Sequence, residues 1–303
     1  MNAFWHGVLP AITTPFDERL GVDHDLVAEH CERMLAAGCA GVIPAGSLGE
    51  GATLSTDEKV ELVRTCVEAV GDRGAVVPGI ASLSTADAVS LAERVAEAGA
   101  AGLMVLPPYA YSTDWREMSA HVRAVISATR LPCMLYNNPV AYTTDFVPEQ
   151  IAELADELSN LEAVKESSTD VRRVTELRRI LADRLVLLVG VDDLIVEGVR
   201  AGADGWVAGL VNAFPEESVR LFELARDGQT AAARELYEWF LPLLRLDTVP
   251  KLVQLIKLAQ ELTGQGPARV RPPRLELTPA ERSATAAVVE AALAARPVGY
   301  AST

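Results

Sequence analysis

Short apolar runs rich in β-branched residues recur along the chain. Each is followed by a stretch in which apolar positions return every three or four residues. The runs begin near Gly7 (GVLPAITTPF), Gly41 (GVIPAG), Ala75 (AVVPGI), Gly102 (GLMVLPP), Pro132 (PCMLYNNP), Leu161 (LEAVKES), Leu185 (LVLLVGVDD) and Gly205 (GWVAGLVN). Their spacings are 34, 34, 27, 30, 29, 24 and 20 residues, each enough for one strand, one helix and two short loops. Eight such units in succession imply a parallel sheet, because parallel neighbours need a crossover of a dozen or more residues. Eight is also the number that closes a (β/α)8 TIM barrel, an α/β fold, and that is the fold class the pattern predicts.

Helix punctuation agrees with this reading. Ser55 and Glu58 have capping-box spacing ahead of an apolar face formed by Leu62, Val63, Cys66, Val67 and Val70. Ser84 opens a similar helix with apolar positions at Ala88, Leu91, Ala92 and Val95. Pro215 suits the first turn of the eighth helix and Gly228 its C-terminal stop. Near-copies of one phrase (AAGCAG at 36–41, EAGAAG at 97–102, RAGADG at 200–205) precede three strands, where a glycine ends the helix and small residues turn the chain. After Gly228 only helical patterns remain, roughly Thr230–Leu246, Thr248–Leu262 and Thr278–Ala295, the last with a Thr278/Glu281 capping box. The chain therefore divides into a barrel over 1–228 and a C-terminal helical extension over 229–303.

Composition narrows the function. The chain has 303 residues, 50% hydrophobic and 23% charged, which supports a large core and argues against disorder. A net charge of −15 repels phosphate backbones and anionic membrane surfaces, so nucleic acid and lipid are poor partners. No stretch approaches the ~18 uninterrupted apolar residues of a membrane helix, and no basic-then-apolar signal opens the sequence. Cys31, Cys39, Cys66 and Cys133 are scattered without metal or redox spacing and read as reduced, buried thiols. The expectation is a soluble, acidic, cytoplasmic protein.

Barrel enzymes place their chemistry at the C-terminal ends of the strands. Those ends carry Ser47–Leu48–Gly49–Glu50, Tyr136–Asn137–Asn138, Lys165–Glu166–Ser167 and Gly190–Val191–Asp192–Asp193. Lysine is the informative type: the chain has only Lys59, Lys165, Lys251 and Lys257. Three fall in helical patterns, where a solvated surface amine is the ordinary reading. Lys165 alone ends an apolar strand and should point into the barrel mouth. Desolvation there lowers an amine's pKa from about 10.4 and frees a nucleophile for imine formation with a carbonyl. The alternative is an ion pair with Glu166 or Asp192. No histidine reaches the mouth, so neither an imidazole-bound metal nor a hydrolytic triad is supported. Glu50, Asp192 and Asp193 leave a magnesium site open as a further alternative. No Gly-rich phosphate loop is present.

Taken together, the strand ends resemble the dihydrodipicolinate synthase/N-acetylneuraminate lyase family of Schiff-base barrel enzymes. GSLGE–GATLS at 46–55, YNNP at 136–139, VKES at 164–167, GVDD at 190–193 and RPP at 271–273 carry the resemblance across the whole chain. The resemblance implies that Lys165 forms the imine, that Tyr136 shuttles protons, and that Ser47 holds the substrate carboxylate and touches the tyrosine. It assigns substrate contacts to Leu48, Gly49, Tyr111, Asn138, Ser167, Gly190, Asp192 and Val207. It implies no metal and no cofactor beyond the lysine imine, a small-molecule 2-oxo acid as partner, and a homotetramer.

Departures from the pattern bear on the substrate. Leu48 stands where many members have a second threonine. Ala141 stands where the synthase has an arginine for its second substrate's carboxylate, and Ala110 where it has the second tyrosine of its proton relay, with Tyr111 as a substitute. Ser167, Asp192 and Asp193 match positions that hold substrate hydroxyls in the sialic-acid lyase branch. The branch most resembled is the 4-hydroxy-1-pyrroline-2-carboxylate deaminases. In that reading Lys165 opens a cyclic imine by transimination, the 4-hydroxyl leaves as water, and ammonia is lost on hydrolysis. An aldolase or dehydratase of a sugar-derived 2-oxo acid, the synthase itself, a metal-dependent barrel enzyme and a 2-oxo acid sensor remain alternatives.

Overall fold

The computed structural model describes residues 3–109 and 114–297. Nine strand segments run in parallel: β1 (Gly7–Pro10), β2 (Gly41–Val42), β3 (Ala75–Val76), β4 (Gly79–Ile80), β5 (Leu103–Val105), β6 (Cys133–Asn137), β7 (Leu161–Glu166), β8 (Val186–Val189) and β9 (Gly205–Ala208). They occupy eight positions in a ring, because β3 and β4 are halves of one predicted strand. Pro78 lies between them, and its missing N–H breaks the ladder there.

One sheet runs β1-β9-β8-β7-β6-β5-β4, and β2 pairs with β3. Hydrogen bonds close the gap between them. Ile43 N–H donates to Pro10 O at 2.7 Å, Ile12 N–H to Ile43 O at 3.1 Å, and Gly79 N–H to Pro44 O at 2.9 Å. The result is a closed α/β barrel. Its strands are buried almost without interruption, as expected where helices cover one face and packed side chains fill the other.

Helices α1 (His24–Ala36), α2 (Thr56–Val70), α3 (Thr85–Glu97), α4 (Trp115–Ser127), α5 (Pro139–Tyr142), α6 (Pro148–Glu157), α7 (Arg172–Leu181), α8 (Ile195–Arg200) and α9 (Pro215–Arg226) connect the strands. The Ser55 hydroxyl accepts from Glu58 N–H while the Glu58 carboxylate accepts from Ser55 N–H, closing the expected capping box. The repeated glycine phrase ends α1, α3 and α8 in one way. Gly38, Gly99 and Gly202 take φ near +100° (97°, 97° and 107°), where a side chain would be strained. The N–H of the following residue then reaches back into the last turn, as from Cys39 to Met34 O.

Beyond Gly228 come α10 (Thr230–Leu244), α11 (Leu252–Leu262) and α12 (Pro279–Ala294). The first two differ from expectation at their facing ends. Pro242 removes a donor inside α10, which finishes in a 3-10 turn at Arg245–Asp247. Pro250 disfavours helical geometry at Val249, so α11 starts at Leu252 rather than Thr248. This irregular corner lies over the barrel mouth and delivers Asp247 to it. No helix among the described residues is long and apolar enough to cross a membrane.

Candidate active site

Strands β6 and β7 pair in a register that sets Tyr136 directly beside Lys165. Both side chains are buried, and the Lys165 Nζ stands 4.1 Å from the centroid of the Tyr136 ring. Burial pushes the Lys165 amine down to about 8, opposed by the carboxylates of Asp247 and then Asp192. Burial pushes the Tyr136 phenol up, the hydrogen bond from the Asn138 amide pulls it down, and the Asp247 carboxylate raises it further.

Both carboxylates weighed as ion-pair partners take hydrogen bonds from other donors. Glu166 Oε1 accepts from Ser168 N–H at 2.6 Å and Oε2 from the Asn137 amide at 3.1 Å, so it serves the loop after β7. Asp192 is fully buried and accepts from Trp206 Nε1 at 3.0 Å, Gly209 N–H at 3.1 Å and Leu210 N–H at 2.7 Å. Those donors tie it to the ends of β8 and β9. Burial still raises its pKa to about 6.

Glu50 departs further from expectation. It lies in the left-handed region at φ 54° and is fully buried, where Oε1 takes the Lys257 ammonium at 2.6 Å and Oε2 the Arg271 N–H at 3.0 Å. Lys257 is thus a buried group spanning barrel and appendage, not a solvated surface amine. Lys59 is buried too and donates to Ala81 O at 3.2 Å. Asp193 lies 3.6 Å from the Arg245 guanidinium. The three carboxylates weighed for magnesium are therefore dispersed, and no His, Cys, Asp or Glu cluster among the described residues could hold a metal ion.

The turn after β2 supplies Ser47, Leu48 and Gly49. Thr14 Oγ1 donates to Gly49 O at 2.7 Å and holds the turn, while the N–H groups of Leu48 and Gly49 have no intramolecular acceptor among the described residues. Ser47 Oγ is hydrogen-bonded to the hydroxyl of Tyr142. Gly190 packs so closely on the site that a Cβ there would stand 2.0 Å from Ser167 Oγ and 2.5 Å from Lys165 Cε. Val207 is buried on β9 opposite Leu9. Asn138 caps α5 through Ala141 N–H at 2.9 Å and donates to the Tyr136 hydroxyl at 2.9 Å. Tyr111 and Ala110 lie outside the described residues. All four cysteines are free and buried.

Two residues of the site were missed in the sequence. Tyr142 stands one position beyond the Ala141 gap, and its ring meets Tyr136 edge-on at 5.9 Å and Tyr109 at 5.3 Å. Asp247 comes from the appendage, and its Oδ1 is sealed from solvent without a hydrogen-bond partner. A Cβ on Gly209 would stand 2.2 Å from that oxygen. Burial and then Asp192 raise its pKa well above the carboxylate range, and Lys165 opposes them. A buried lysine, two phenols, a serine and a carboxylate thus surround one point at the strand ends, suited to imine chemistry with proton transfer.

Residues 5–292 match the profile of the Dihydrodipicolinate synthetase family. The 4-hydroxy-tetrahydrodipicolinate synthase of Natronomonas pharaonis is 38% identical over 231 residues, 76% of this chain and 78% of its own. That of Methanopyrus kandleri is 33% identical over 271 residues, 89% of this chain and 90% of its own. The crystal structure of dihydrodipicolinate synthase from Aquifex aeolicus superimposes with a TM-score of 0.90 over 94% of this chain and 97% of that one, at 26% identity. The enzyme from Cyanidioschyzon merolae, solved with lysine bound, gives 0.91 over 96% and 99%, at 28% identity.

Proposed function

The chain belongs to the dihydrodipicolinate synthetase family of lysine Schiff-base enzymes, and on that premise we propose that Lys165 carries a 2-oxo acid as its covalent imine while Tyr136 moves the proton at C3. The observation that carries this reading is the Lys165 amine, brought down to about 8 by burial and set over the Tyr136 ring. The neutral amine attacks the 2-oxo carbon, the carbinolamine hydroxyl takes up a proton and leaves as water, and the nitrogen keeps one hydrogen as the iminium. That iminium is an electron sink, and loss of a C3 proton to the phenol oxygen gives the enamine. The open N–H groups of Leu48 and Gly49, with the Ser47 hydroxyl, fit the substrate's 1-carboxylate.

For the fate of the enamine, the named relatives favour condensation with an aldehyde, the 4-hydroxy-tetrahydrodipicolinate synthase reaction. That assignment displaces the pyrroline-carboxylate deaminase as the leading reading. A second reading, a hydroxylated substrate with a single carboxylate, draws support from one feature of the mouth. Ala141 offers no cation on α5 to pair with a second substrate carboxylate.

Parallel rate measurements separate the two. Faster product formation from pyruvate and aspartate semialdehyde supports the synthase reading. Faster ammonia release from 4-hydroxy-1-pyrroline-2-carboxylate supports the second. Absence of any imine on Lys165 with either substrate overturns both.

A further inference from the structure

We propose that Asp247, delivered by the C-terminal appendage, is the proton donor to the oxygen on C4 of the imine-bound substrate. The inference deepens the imine reading of Lys165 and rests on it, since only the imine of a 2-oxo acid sets a C4 oxygen at the strand ends.

The sheet order β6-β7-β8-β9 puts Tyr136 on one flank of Lys165 and the end of β9 on the other. Asp247 stands over that second flank. A Cβ on Gly209, the residue after β9, would lie 2.2 Å from Asp247 Oδ1 and 2.6 Å from Oδ2, so glycine there makes room for the carboxyl group. The N–H of the same glycine donates to Asp192 at 3.1 Å, so two carboxyl groups meet at one residue. Lys165 approaches this corner through Gly190, where a Cβ would stand 2.5 Å from Lys165 Cε. The appendage is pinned here as well. Tyr237 Oη donates to Asp193 O, and Arg245 pairs with the Asp193 carboxylate at 3.6 Å. Asp192 has three donors, whereas Asp247 Oδ1 is sealed from solvent with no partner. A buried carboxyl oxygen left unpaired is costly, and a polar group of the substrate can satisfy it. Asp247 as a residue remains partly exposed, which keeps it within reach of a ligand in the mouth.

The charge on the lysine nitrogen times the transfer. Burial and then Asp192 favour the neutral carboxyl, and a cation at Lys165 opposes them. In the enamine that nitrogen is neutral, so Asp247 holds its proton at the stage where the C4 oxygen needs one. In condensation the enamine pair forms the C3–C4 bond, and the aldehyde π pair moves to its oxygen. That oxygen takes the Asp247 proton, and the nitrogen becomes an iminium. In dehydration the nitrogen pair forms the N=C2 bond, the C2–C3 pair forms C3=C4, and the C4–O bond breaks. The departing oxygen takes the same proton and leaves as water. Either way the new cation stabilises the carboxylate left behind, and solvent restores its proton. Tyr136 stays committed to C3.

The experiment compares Asp247→Asn with wild type near pH 9, about a unit above the lysine's own value, so that the amine is neutral in both. Asparagine keeps the shape and cannot give up a proton in this way. Borohydride trapping with pyruvate reports the imine, and deuterium entry into the pyruvate methyl group in D2O reports C3. Turnover reports C4, as condensation of pyruvate with aspartate semialdehyde and as ammonia release from 4-hydroxy-1-pyrroline-2-carboxylate. Trapping and exchange should persist, which also shows the variant folded, while turnover falls about 10²-fold, the usual worth of a positioned acid–base group. Wild-type turnover in Asp247→Asn overturns the inference and leaves the imine reading standing. Loss of exchange or of trapping in step with turnover overturns it too, because Asp247 then acts before C4. Absence of trapping in the wild-type protein overturns the imine reading and this inference with it.

Discussion

Lys165 and Tyr136 are direct partners in the β6–β7 ladder, with the amine nitrogen 4.1 Å from the centre of the phenol ring. In a parallel ladder a slip of one residue turns every side chain of a strand to the opposite face. The register that builds the barrel therefore also sets the amine beside the phenol.

The position of the Lys165 amine, near pH 8, sets the pH dependence of imine formation. Below that value only the small neutral fraction reacts, so trapping should rise about tenfold per pH unit and then level off. Lys165→Arg should trap nothing at any pH, because a guanidinium stays protonated. A flat profile from pH 6 to 9 would contradict the assignment.

Asp247 favours the charged form of Lys165, since an opposite charge raises an amine's pKa. Asp247→Asn removes that attraction, so the Lys165 pKa should fall and the acid limb of the profile should move to lower pH. The measurement is the same trapping rate across pH. An unchanged or upward-shifted limb would show that the Asp247 carboxylate does not act on the lysine.

Tyr136→Phe should leave the barrel folded and slow turnover by about 10²–10⁴-fold, with imine trapping retained better than turnover. Steady-state rates on whichever substrate is turned over, set beside trapping yields, provide the check. Near wild-type turnover would make Tyr136 a packing residue.

Lys257 also has a lowered pKa, about 8, yet it is locked to Glu50 at 2.6 Å and to Arg269 O at 2.7 Å. Its role is to join barrel and appendage. Lys257→Met leaves the Glu50 carboxylate buried without its main partner, and chemical denaturation should show a loss of about 3–5 kcal/mol. A loss below about 1 kcal/mol would mean that Arg271 and Arg274 suffice for Glu50.

The sequence carried the parts of this molecule written as local repeats. Strand starts, the Ser55 and Thr278 capping boxes and the three glycine stops follow from neighbouring residues alone, and the structure shows them in place. Lys165 was legible because an apolar strand that ends in a lysine carries the amine to the barrel mouth, where burial lowers its pKa. Glu50 misled because sequence places a carboxylate at a strand end without showing which donors it meets. Lys257 looked like a surface amine because its partner is 207 residues away. Asp247 and Tyr142 reach the site through the Pro242–Pro250 corner and the single turn of α5, and neither leaves a periodic signal.

Covalent capture tests the central claim most directly. The protein is incubated with pyruvate, reduced with borohydride, digested and mapped by mass. The account predicts the reduced adduct on the peptide containing Lys165 and its disappearance in Lys165→Ala. Label on Lys59, Lys251 or Lys257, or label that survives Lys165→Ala, would contradict it.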